Sequence, residues 1–133
     1  MVVVRPPGGP APTVEEKPVP RLTSEELDGW VREFHALEQA HPSSPQAVDA
    51  SWDESMVDTA LIVVRLETSG TEVFLRREIG GSPEWTVTFE ARERDARATA
   101  DQVLALALEV GSVARLCAFL TEKTTAHMER LAR

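Results

Sequence analysis

Three places in this 133-residue chain bring together side chains that can do chemistry. The first is HALEQAH, residues 35–41, where Glu38 and His41 stand at the E-x-x-H spacing that di-iron helix bundles use twice, alongside glutamates from two further helices. This chain has a single copy, and His41 falls at a helix end beside Pro42. The second is DASWDESMVD, residues 49–58, which sets Asp49, Asp53, Glu54 and Asp58 around Trp52. Paired carboxylates can share a cation or trade a proton. No base or electrophile accompanies these, and they lack the glycine and odd-position oxygen ligands of a calcium loop. The third is Cys117, flanked by Leu116 and Leu120 with no histidine near it in sequence. A buried thiol behaves as a small hydrophobe with a raised pKa. His35, His41 and His127 make no metal-ligand spacing with one another or with Cys117, and there is no G-x-S-x-G, phosphate-cradling glycine loop or H-E-x-x-H. No catalytic residue, metal ligand set or cofactor is indicated, which points away from an enzyme.

The elements that would position these groups follow from periodicity and punctuation. Residues 1–22 hold six of the nine prolines, with Gly8 and Gly9, and show no hydrophobic period. Such a segment cannot bury enough surface to offset its ordering entropy, so a disordered arm is expected there. Thr23 and Glu26 then form a capping box, Leu22 faces Leu27 as a staple, and Leu27, Trp30, Val31, Phe34 and Leu37 make one apolar stripe of a first helix that Pro42 ends. Ser44 and Pro45 read as the start of a short second helix, on which Val48, Trp52 and Met56 fall four residues apart. On that helix Trp52 is an anchor against the sheet; on a loop it becomes an exposed hot spot.

Three strands are expected at 59–67, 71–79 and 84–92, joined by the short glycine-bearing turns TSG and GGSP, which favours an antiparallel meander. The third alternates, with Trp85, Val87, Phe89 and Ala91 on one face and Thr86, Thr88, Glu90 and Arg92 on the other, so one face of the sheet looks at water. The remainder predicts two helices meeting near Gly111: Thr99 and Gln102 cap the first, and the second carries Val113, Leu116, Leu120 and Leu131. The expected fold is α+β over residues 23–133: a three-stranded antiparallel β-meander packed on one face by helices, in the order α-(α)-β-β-β-α-α.

Net charge is −8, and it is segregated. Residues 23–58 carry nine acids against the single base Arg32, while the rest of the chain is nearly balanced. Such a segment repels phosphate backbones and attracts basic protein surfaces. The lone cysteine fits a reducing interior, no secretory leader is visible at the N-terminus, and no segment reads as a membrane span of roughly 20 apolar residues. A cytoplasmic protein is expected. The absence of Tyr and Asn, with only two Lys against twelve Arg, is the mark of a G+C-rich, bacterial genome.

The order helix, meander, helix resembles double-stranded-RNA-binding domains in topology, and Arg92, Arg94 and Arg97 stand at the junction where that family places a basic cluster. Here Glu93 and Asp95 interrupt them. The leading expectation is a non-enzymatic protein-interaction module, a small regulator, chaperone or inhibitor, that docks a basic partner on an acidic edge of Glu33, Asp49, Trp52, Asp53, Glu54 and Asp58. The alternative is a small-ligand-binding or enzymatic domain with a pocket between the sheet and the last helices, lined by Trp85, Phe89, Phe119 and Met128. Self-association through the last helix or the first strand is compatible with both.

Overall fold

The computed structural model describes residues 21–38, 44–77, 82–90 and 95–132. Six elements run in the order α1 (Ser24–Leu37), β1 (Gln46–Asp49), β2 (Ala60–Leu66), β3 (Thr71–Arg77), β4 (Trp85–Phe89) and α2 (Ala100–Ala132). The α+β class stands. The strands form one antiparallel sheet in the order β1-β2-β3-β4, so a fourth strand joins the expected meander. The expected arm lies outside the described residues as far as residue 20. Leu22, placed at its end, is buried with Leu27 in the core.

Helix α1 begins as its capping chemistry requires: the Glu26 backbone N–H donates to Thr23 Oγ1, and the Thr23 N–H donates to Glu26 Oε1. Leu27, Trp30, Val31 and Phe34 are buried, while Leu37 at the last turn is exposed.

The short second helix is replaced by β1. Val48 pairs with Leu61 and Ala47 with Ile62, and the ladder closes with the Ala50 N–H donating to Thr59 O at 2.7 Å. Two forces decide this. A helix of about a dozen residues is marginal without tertiary packing, whereas the β-branched strand β2 has an edge whose backbone groups need a partner. Asp49 and Asp53 also cap local turns, which competes with helix formation.

The two helices expected around Gly111 are one helix of 33 residues. A mid-helix glycine costs about 1 kcal/mol relative to alanine. Burial of Glu109, Ser112, Val113, Leu116 and Leu120 on both sides of it outweighs that cost. Glu109 is a buried carboxylate that accepts from the backbone N–H groups of Glu67 (2.8 Å) and Thr68 (3.2 Å), so it holds the β2–β3 turn, where Gly70 has φ +71°.

The core lies between the helices and one face of the sheet: Ala60, Ile62, Val64 and Leu66 from β2, Val73 and Leu75 from β3, Trp85 from β4, and Val113, Leu116 and Leu120 from α2. The other face carries Val48, Leu61, Val63, Phe74, Thr86 and Thr88 in partial exposure. A 33-residue helix is about 50 Å long, roughly twice the length of a seven-residue strand such as β3. Its first three turns leave Val103, Leu104 and Leu108 exposed, while Leu106 and Glu109 face the core. By length and composition alone α2 could cross a bilayer. The face bearing Val113, Leu116 and Leu120 is covered by the sheet.

Candidate functional site

The loop between β1 and β2, residues 50–58, is built from two successive turns. Asp49 Oδ1 accepts from the Ser51 N–H at 3.1 Å, and Asp53 Oδ1 accepts from the Ser55 N–H at 3.0 Å and its hydroxyl at 2.6 Å. The Asp53 N–H donates to Ala50 O and the Met56 N–H to Asp53 O, which winds the loop tightly. These bonds hold Trp52 outward, 78% exposed, and Glu54 is exposed beside it. The hydroxyl and backbone donors of Ser55, aided by the nearby Arg76 charge, hold the Asp53 carboxyl below its ordinary pKa.

The base of the loop is fixed from below. Asp58, 2% exposed, accepts a bidentate pair from Arg77, Nη2 to Oδ1 at 2.6 Å and Nε to Oδ2 at 3.1 Å. The same Oδ1 accepts the Leu22 N–H at 2.8 Å. Thr59 donates both its N–H and its hydroxyl to Leu22 O, and Arg21 Nε donates to Val57 O. A buried guanidinium–carboxylate pair with its remaining valences filled is rigid. The loop that displays Trp52 is thus clamped to the entry of α1.

Beside the loop, on the open face of the sheet, Ser55, Met56, Val57, Arg76, Thr86 and Thr88 line a groove of about 310 Å³, with Asp58 and Arg77 also bordering it. The lining offers hydroxyls and a guanidinium for hydrogen bonding. It contains no histidine or thiol, and no group of three or more potential metal ligands occurs among the described residues.

The residues singled out from the sequence divide between three places. Asp49, Trp52, Asp53 and Glu54 come together on the loop. Asp58 is adjacent in sequence, but it is buried and bound to Arg77. Glu33 sits on α1, where Lys123 Nζ of α2 reaches it at 2.8 Å. Trp85, Phe119 and Met128 lie where α2 packs on the sheet and α1. The Trp85 indole donates to Thr124 Oγ1 at 2.8 Å and its backbone N–H to Thr121 Oγ1 at 3.0 Å. Phe119 stacks on Phe34 at 5.5 Å between centroids, and Met128 Sδ is 3.7 Å from Arg77 Nη1. Phe89 shares the core-side face with Val87 and Trp85, paired with Val73, but at the end of β4 it is 54% exposed. None of these four lines the grooves on the sheet's open face. Cys117 is half-buried and donates to Trp85 O, and burial, with the Glu84 charge, raises its pKa. Glu38 binds Arg115, and His41, Arg92 and Arg94 lie outside the described residues.

Two features escaped sequence reasoning. Arg76 and Arg77 are neighbours on β3, and strand alternation sends one to the open face and one to the core. The loop, expected as a helix, carries a signal that could have found it: the repeated D-x-S of Asp49-Ala-Ser51 and Asp53-Glu-Ser55, a turn motif with a defined mechanism. No family model, curated protein or solved structure matches the chain.

Proposed function

We propose that this protein is a non-enzymatic interaction module of the bacterial cytoplasm, whose Trp52 loop docks a partner protein with a basic surface. The observation that carries this reading is the exposure of Trp52, 78%, on a loop that is itself rigidly held. A large indole left in water costs free energy in the isolated molecule, and burying it against a partner recovers that energy. Aromatic side chains ringed by polar groups are the usual interface anchors. Asp49, Asp53 and Glu54 supply the ring, and their charge selects basic partners and speeds encounter. The acidic surface is narrower than the whole 23–58 segment, because Asp28, Glu33, Glu38 and Asp58 are answered by Arg32, Lys123, Arg115 and Arg77. The neighbouring groove, with Arg76, Thr86 and Thr88, is a socket for one side chain of the partner.

The test is capture of a partner from native lysate by wild type and by Trp52→Ala. The expected result is that Trp52→Ala folds and melts as wild type yet loses the partner, and that wild-type binding weakens as salt rises. Retention of the partner by Trp52→Ala, or binding indifferent to salt, would refute the proposal.

A further inference from the structure

We propose that the outer face of the first turns of α2 is a two-fold interface, in which α2 of a second copy of this chain lies antiparallel, with Leu104 of each copy packed on Leu108 of the other. Asp101, Leu104, Leu108, Gly111 and Arg115 recur at alternating steps of three and four residues, the spacing that keeps one seam facing a neighbouring helix. The structure leaves that seam open: Leu104 is 63% exposed and Leu108 66%, with Asp101 and Arg115 exposed at its ends. Leu106 and Glu109 of the same turns face the core and the β2–β3 turn, so Leu104 and Leu108, one turn apart, stand on the opposite, outer face of α2.

Charge fixes the occupant and the register. When two copies are laid antiparallel with Leu104 level with Leu108, Asp101 of one copy comes level with Gly111 of the other. The Arg115 guanidinium folds back over Gly111, its Nη1 3.5 Å from where a Cβ on that glycine would stand, while its Nε is held by Glu38 at 2.8 Å. The same register that buries the leucines therefore brings Asp101 of each copy to Arg115 of the other, twice by symmetry. Gly111 presents no side chain to block the approach. A membrane surface fits less well. The helix carries no Lys or Arg before Arg115, whereas helices that lie on anionic bilayers are rich in both. The overlap is about 20 Å of helix, which belongs to the small-interface class under roughly 1,200 Å². A weak, reversible dimer is expected.

Sedimentation of the full chain from micromolar to about 0.5 mM reads this directly. Wild type is expected to pass from monomer to dimer. Leu108→Glu is expected to stay monomeric with an unchanged melting curve, since the position is exposed. Asp101→Arg is expected to weaken the dimer about tenfold through repulsion of Arg115, and Asp101→Arg with Arg115→Asp to restore it. A wild type that remains monomeric throughout overturns the proposal. So does a Leu108→Glu chain that still dimerises, a charge-swapped chain no better than Asp101→Arg alone, or loss of the dimer in Trp52→Ala.

Discussion

Helix α1 and the loop 50–58 carry carboxylates at similar density, yet the fold treats them in opposite ways. On α1, cations answer several of the acids: Arg32 one turn on for Asp28, and, from α2, Lys123 for Glu33 and Arg115 for Glu38 at the helix end. On the loop, the acids Asp49 and Asp53 spend their acceptors on serines two residues away, so their charge stays outward. Local charge density in a sequence therefore says little about the charge a partner meets. What matters is how closely distant cations fold back over it: Lys123 and Arg115 pair directly with Glu33 and Glu38, whereas on the outer loop Arg76 only adds to the field at Asp53.

Mutations break this contrast at different depths. The deepest is Asp58→Ala, which leaves the buried Arg77 uncompensated and unpins Leu22. About 3–5 kcal/mol of stability is expected to go, measured by chemical denaturation, and a loss under 1 kcal/mol would mean that the clamp is not structural. Next is Trp52→Ala, expected to cost about 2 kcal/mol in partner affinity while stability changes by no more than about 0.5 kcal/mol; calorimetry separates the two. Removing the Ser112 hydroxyl, which is buried with no hydrogen-bond partner among the described residues, should raise stability by about 1 kcal/mol in Ser112→Ala. Glu33→Gln is expected to cost less than about 1 kcal/mol, since its pair with Lys123 is largely exposed, and to leave partner binding intact. The smallest effect is a pH signature. Because Asp53 titrates below its ordinary value of 3.8, its hydrogen bonds to Ser55 are complete above that pH and are lost as pH falls through the lowered pKa. Trp52 fluorescence should report a transition there that Asp53→Asn abolishes.

Much of the fold was readable because its signals are local. The capping box of Thr23 and Glu26, the apolar stripe through Phe34, and the three glycine-punctuated strands each depend on residues within a few positions of one another. What escaped depends on distant partners. β1 exists because β2 has an unpaired edge, and the unbroken α2 exists because a sheet lies under Gly111. Trp52 was recognised as either anchor or hot spot, and the decision rested on whether Asp49 and Asp53 bonded forward to serines or turned outward from a helix. Asp58 was grouped with its acidic neighbours because nothing near it in sequence reveals Arg77, nineteen residues later.

The Glu109 side chain that grips the amides of Glu67 and Thr68 has a consequence for the order in which the molecule comes into being. On a ribosome the hairpin of β2 and β3 emerges some forty residues before the carboxylate that fastens its tip. Until α2 follows, that tip keeps only its own turn bonds, such as the Gly70 N–H to Leu66 O, so its tightening is expected to come late. Translation of the last third of the chain is thus the event that locks the earlier part.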